Sequence, residues 1–128
     1  MTTSRLPVAL LVLALTGCHK SSSPSGVVCT ALAAAGLGVS LSDSVSGATT
    51  GFTNVSVVAR DGAYKDSVFA ATFPPPFGNV IALAYEHRGT VQVTVRADGY
   101  APWVKNGIVI TGDECHVTQV NVSARLIR

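Results

Sequence analysis

The chain is predicted to be all-β, an antiparallel seven-stranded sandwich. Three observations carry this expectation. Apolar and polar residues alternate with a period of two in Thr90-Val91-Gln92-Val93-Thr94-Val95-Arg96-Ala97, which puts Val91, Val93, Val95 and Ala97 on one face. Turn-forming pairs, Asp61-Gly62, Asp98-Gly99 and Gly112-Asp113, punctuate the sequence at strand-length intervals. Helical periodicity is thin: Ala31 to Ala35 could form one turn, but Gly36 and Gly38 end it.

The elements follow in order. Leu37, Val39 and Leu41 alternate with Gly38, Ser40 and Ser42 in a first strand. Asn54 to Arg60 is rich in Val and runs into Asp61-Gly62, so Tyr64 to Ala70 is read as its hairpin return. Phe73-Pro74-Pro75-Pro76-Phe77-Gly78 reads as a loop of polyproline character, because consecutive prolines remove ladder donors. Val80 to His87 is a further apolar run, broken at Gly89. The strand over residues 90–97 comes next, and Val104 to Ile110 follows Pro102. The last segment, Cys115 to Leu126, changes phase, from Cys115 and Val117 to Val120, Val122, Ala124 and Leu126. A β-bulge near Thr118-Gln119 is the expected cause.

Composition narrows the function classes. Nine Lys and Arg face seven Asp and Glu, a formal net charge of +2. There is no basic run and no interleaving of aromatic with basic residues, so a nucleic-acid partner is not expected. Mean hydropathy is +0.42, a value raised by the N-terminal segment.

That segment has its own logic. Arg5 precedes a run from Leu6 to Leu15 that is apolar except for Pro7. A permanent membrane span needs about 20 apolar residues, so the run fits the core of a secretory signal. It ends Leu15-Thr16-Gly17-Cys18. This resembles the lipobox of bacterial lipoproteins, in which the Cys thiol receives a diacylglycerol, the signal is cut before it and the new amino group is acylated. The resemblance implies a signal peptide over residues 1–17, a lipidated Cys18 as first mature residue, and a membrane partner reached through the lipid anchor. More than one acyl chain is needed for stable anchoring, each buried CH₂ adding about 0.8 kcal/mol. Residues 19–26 are Ser-rich with one Pro and one Gly, the composition of a flexible tether. Residue 19 is His rather than the Asp linked to inner-membrane retention, so the resemblance points to the outer membrane of the cell envelope.

With Cys18 lipidated, Cys29 and Cys115 remain as an even pair. An exported domain meets an oxidising compartment, which favours a disulfide between them. The chain-entropy model values so long a closed loop at about 4–5 kcal/mol. The alternative is two reduced core thiols.

The stretch Glu86-His87-Arg88-Gly89-Thr90-Val91-Gln92-Val93-Thr94-Val95-Arg96-Ala97-Asp98-Gly99-Tyr100 is similar to the G-x-Y-x-V-x-V-x-A-x-G-Y hairpin of carboxypeptidase regulatory-like domains. Gly89, Val93, Val95, Ala97, Gly99 and Tyr100 match, while Val91 stands where the family usually has Tyr. Val39 to Gly47 resembles the opening strand and turn of such domains. Asp113-Glu114-Cys115-His116-Val117 resembles the ending of lipoprotein members, where a late Cys precedes the final strand. The resemblance implies a transthyretin-like (prealbumin-like) sandwich over residues 27–128. It says little about function, because sites are grafted on such folds independently of topology.

Candidate chemistry is sparse. His87 and His116 are the histidines of the domain, and no G-x-S-x-G surrounds a Ser. The Tyr-Arg-Gly-Ser ending of transthyretin-like hydrolases is not matched by Ala124-Arg125-Leu126-Ile127-Arg128. Glu86-His87 and Asp113-Glu114-Cys115-His116 suggest metal ligands, but neighbours in a strand point to opposite faces and no closed zinc spacing occurs. Tyr100 and Trp103, with the Pro74 to Phe77 loop, could stack on a sugar or a partner loop, or simply plug one end of the sandwich. The sequons Asn54-Val55-Ser56 and Asn121-Val122-Ser123 are pattern only in a bacterial lipoprotein. The expectation is a non-enzymatic, cofactor-free and metal-free envelope lipoprotein that binds or scaffolds a protein or glycan partner. A carbohydrate-binding module using Tyr100 and Trp103 is one alternative. An envelope hydrolase using His87 or His116 is the other.

Overall fold

A computed structural model describes residues 26–74 and 78–128. The leader, Cys18, residues 19–25 and residues 75–77 lie outside the described residues. The domain is all-β, with seven strands: β1 (Ala35–Asp43), β2 (Phe52–Asp61), β3 (Tyr64–Phe73), β4 (Ile81–Tyr85), β5 (Gly89–Arg96), β6 (Trp103–Ile110) and β7 (Val120–Leu126). They form a three-stranded sheet in the order β4-β1-β7 and a four-stranded sheet in the order β3-β2-β5-β6, in a sandwich-like arrangement.

The alternation read from the sequence is what brings the sheets together. Leu37, Val39 and Leu41 of β1, and Val122, Ala124 and Leu126 of β7, are buried. So are Val55, Val57 and Ala59 of β2, Val91, Val93 and Val95 of β5, and Ile108 and Ile110 of β6. All belong to one apolar cluster. Each Val, Leu or Ile side chain among them that is taken out of water contributes about 1.5–3 kcal/mol. The β2–β3 hairpin closes with Asp61 paired to Tyr64 around Gly62-Ala63, and Gly62 takes the positive φ of 55° that a two-residue hairpin turn demands.

Three expectations are corrected. The pairing is not wholly antiparallel: β1 runs parallel to β7, from Leu37 opposite Val120 to Asp43 opposite Leu126. Residues 31–35 form no helical turn; Ala31 and Leu32 bend and Ala35 already belongs to β1. The expected bulge near Thr118-Gln119 is a strand boundary instead. Val117 pairs back onto Gly112 and Thr118 donates to the Thr111 carbonyl at 2.8 Å, after which β7 starts afresh at Val120. The phase of the apolar residues changes because the segment changes partner. The register shift of the structure lies in the β5–β6 ladder, between Val91 and Val93, where β6 carries an extra residue near Gly107, itself at φ 69°.

One end of the sandwich is closed by Asp43, the buried charged residue among the described residues. Its Oδ1 accepts the amides of Val45 and Ser46, both at 2.9 Å. Its Oδ2 accepts the Tyr100 hydroxyl at 2.8 Å and Arg128 Nε at 3.2 Å. The Ser46 amide above all, then the Tyr100 hydroxyl and the Val45 amide, hold this carboxyl far below the usual carboxylate range. A depressed folded-state value means that the stabilisation is complete above the ordinary value of about 4 and is lost as the pH falls below it. Thermal melts between neutral pH and pH 2 are therefore expected to fall steeply on the acid side. Asp43→Asn should flatten that slope and lower stability at neutral pH. Tyr100→Phe, losing one hydrogen bond to a charged acceptor, should cost about 2 kcal/mol at neutral pH.

Candidate functional site

The opposite end is polar, open and built by a covalent bond. Cys29 and Cys115 form a disulfide across a sequence separation of 86. The bridge lays residues 29–34 beside the turn at 113–116. Asp113 shapes that turn: its Oδ1 accepts the amides of Cys115 at 2.8 Å and His116 at 2.9 Å. Those two amides, His116 foremost, hold the Asp113 carboxyl below its ordinary value. The Arg88 guanidinium donates to the Asp113 carbonyl from the loop between β4 and β5. Gly112 is required here, since a Cβ would sit 2.8 Å from the Val117 Cα.

The disulfide and the turn bring together a relay of three side chains. Thr30 Oγ1 and His116 Nε2 are 2.8 Å apart. His116 Nδ1 and Glu86 Oε1 are 2.7 Å apart. Glu86 Oε1 also accepts the Ala34 amide at 2.6 Å, and the Glu86 amide donates to the Ala34 carbonyl at 3.0 Å. The Ala34 amide first, and His116 second, lower the Glu86 pKa. An ionised Glu86 can only accept, so a proton on Nδ1 of His116 completes that bond, and in that tautomer Nε2 is the acceptor for the Thr30 hydroxyl. Beside the relay lies a solvent-open groove lined by Thr30, Ala31, Leu32, Ala33, Glu86, Arg88, Cys115 and His116. Leu32 stands 79% exposed there.

The chain reaches this geometry through an unusual backbone. Ala84 and Glu86 both have positive φ, 55° and 52°, in the left-handed region that side chains avoid. The fully buried Ala84 donates its amide to Asp66 Oδ2 at 2.8 Å and accepts the His87 amide at 3.2 Å. Gly36 lies opposite, where a Cβ would come within 2.8 Å of the Ala84 carbonyl oxygen. The double reversal sends Glu86 and His87 to different partners. Glu86 meets His116. His87 Nε2 meets Asp61 Oδ2 at 3.1 Å, and its ring stacks on Tyr64 at 3.6 Å and 5°. Burial, and then Asp66, raise the pKa of Tyr64.

The sequence-predicted candidates are thus distributed. His116 lies on the groove, and His87 lies outside its lining with a carboxylate of its own. Tyr100 and Trp103 are half-buried at the sandwich core. The Tyr100 ring packs on Phe52 at 5.2 Å and is covered by Arg128 at 4.9 Å. Its hydroxyl is committed to Asp43, so the plugging role describes its contacts. Cys18 lies outside the described residues. Among the described residues no group of three or more His, Cys, Asp or Glu could hold a metal ion, and no helix is long and apolar enough to cross a membrane. Sequence reasoning gave no site role to Thr30, Arg88, Asp43 and Asp61; the last three lie in stretches read there only as turn or strand. Compared with models of protein families, with curated proteins and with solved structures, the chain matches none.

The relay gives a test of its own. Glu86→Gln should raise the exchange rate of the Ala34 amide by at least tenfold while β1 to β7 remain protected, as followed by hydrogen exchange. In the unsubstituted chain the same loosening is expected only as the pH falls through and below the ordinary carboxylate range, because the folded-state value is depressed.

Proposed function

We propose that this chain is a membrane-anchored lipoprotein of the bacterial cell envelope. Its transthyretin-like sandwich serves as a non-catalytic binding or scaffolding module. The observation that carries the reading is the Cys29–Cys115 disulfide, which suits an oxidising compartment outside the cytoplasm. Leu15-Thr16-Gly17-Cys18 supports a lipid anchor, and His19 supports the outer membrane as its destination. The arrangement of a β4-β1-β7 sheet and a β3-β2-β5-β6 sheet, with Tyr100 packed at a corner, supports the transthyretin-like assignment. The groove, with Arg88 and the exposed Leu32 on its rim, is the natural contact for a protein or glycan partner. Intact mass of the membrane-extracted protein tests this reading. Cleavage before Cys18 plus added acyl chains is expected, absent in Cys18→Ala, with Cys29 and Cys115 alkylated only after reduction. An unacylated mass with freely alkylated thiols would sink it.

A second reading rests on the Thr30–His116–Glu86 relay, whose connectivity is that of a nucleophile, a base and an orienting carboxylate. In this reading the envelope protein is a hydrolase. His116 Nε2 takes the Thr30 hydroxyl proton as Oγ1 attacks an ester carbonyl; the leaving alcohol receives that proton, and water then releases the acid. Hydrolysis of small activated esters that drops by about 10²-fold or more in both Thr30→Val and His116→Ala would establish it. Equal rates in all three proteins would remove it.

A further inference from the structure

The outer face of the four-stranded sheet carries three cations on its paired strands. Lys65 of β3 lies directly opposite Arg60 of β2, and Arg60 directly opposite Gln92 of β5. A second row across the same face runs from Phe69 through Ser56 to Arg96. Arg60, Lys65 and Arg96 are all exposed. Of the chain's seven carboxylates, Asp98 alone follows the outward alternation of this face, two residues beyond Arg96 at its far end. Asp61, Glu86 and Asp113 work at the groove end, where Glu114 also sits, and Asp66 turns inward to the Ala84 amide. Asp43 and Asp98 work at the other end, the latter accepting from Asn54 Nδ2 at 2.6 Å. In a chain with nearly balanced charge, this is an uneven distribution of sign and not an excess of base.

Like charges directly opposite each other destabilise a sheet. Arg60 and Lys65 are such a pair, and Asp98 stands at the far end of the face, beyond Arg96. Arg96 lies four positions from the level of Arg60, about 13 Å along the strand direction. Between the two rows the face is neutral. Phe69 projects from the edge strand β3, 66% exposed. A broad cationic face with an aromatic ring at its margin matches the surface of an anionic bilayer. Cations there meet phosphate-bearing headgroups, and aromatic rings settle at headgroup level.

We propose that this face, through Arg60, Lys65 and Arg96 with Phe69 at its edge, rests on the anionic lipid headgroups of the membrane that carries the protein. The inference builds on the lipoprotein reading, which keeps the domain within reach of that surface. Three cations near an anionic surface favour the face-down orientation by about a hundredfold.

The test uses the membrane-extracted full protein in lipid vesicles, with an environment-sensitive dye on Ser67→Cys, a position on β3 between Lys65 and Phe69. A second preparation carries the dye on Asn121→Cys, in β7 of the other sheet. In vesicles containing phosphatidylglycerol the Ser67 label should shift to the blue and resist an aqueous quencher, and the Asn121 label should not. Pure phosphatidylcholine vesicles, or about 1 M salt with its screening length of about 3 Å, should abolish the shift. Arg60→Ser/Lys65→Ser/Arg96→Ser should abolish it too, with an unchanged circular dichroism spectrum. No shift in anionic vesicles, a shift equal in both lipids, or a shift surviving in the triple variant would overturn the proposal. Intact mass of the same samples keeps the two readings apart. If the chain proves unacylated, the lipoprotein reading fails by itself, and the labelled chain mixed with the same vesicles still decides the face.

Discussion

The sandwich depends on how β1 is held. It is the central strand of the smaller sheet, antiparallel to β4 on one side and parallel to β7 on the other. Leu37, Val39 and Leu41 pack into the core from it, so a slip of one residue would turn all three outward. Gly36 and Gly38 weaken its side-chain packing, and its register is fixed from outside. At its start, the Ala34 amide is bonded to Glu86. At its end, the Asp43 carboxylate gathers two amides of the following turn, Tyr100 and Arg128. The strand is pinned at both ends by carboxylates while its middle supplies the apolar contact.

The two pins differ in chemistry, and the difference separates structure from candidate function. Asp43 is buried and its partners include a permanent cation, so its state is constant over the physiological range. Glu86 is more open and is bonded to a histidine and a backbone amide, with no permanent cation among those partners. The positive φ values at Ala84 and Glu86 fall at this second pin. Strain of that kind costs on the order of 1–3 kcal/mol and persists only where surrounding contacts enforce it. Here the contacts are the Asp66 carboxylate on the Ala84 amide and the paired hydrogen bonds between Ala34 and Glu86.

What could be read in the sequence follows a physical division. The strands were legible because burial on one face imposes a period of two, and each lies within a residue or a few of its expected place. The Asp61-Gly62 hairpin was legible because the turn is local. The disulfide was legible as parity once Cys18 is set apart. Glu86 and His87 reach different partners through the left-handed turn at Ala84 and Glu86 and not through extended-chain alternation, a reversal that no local motif announces. The parallel β1–β7 pairing was not legible, since nothing near Leu37 encodes a partner more than 80 residues away. The boundary at Thr118-Gln119 was misread as a bulge because a phase change has two causes that look alike in one dimension. Thr30 gave no signal: it becomes part of a relay only after the disulfide delivers it to His116.

The uneven distribution of charge belongs to the same class of hidden property. Arg60, Lys65 and Arg96 are scattered in a nearly balanced sequence and form no basic run. Register alone converts them into one face, because β2 pairs with both β3 and β5 and outward residues share rows. The consequence for a tethered domain is geometric. A strand of eight to ten residues is about 30 Å long, and the eight residues of the 19–26 tether reach at most about 28 Å when extended. The tether enters at the groove end beside Cys29. On the proposed lipoprotein reading, a tether of that reach exceeds the spacing of about 10 Å between packed sheets, so the cationic face could lie against headgroups while the groove opens to the side.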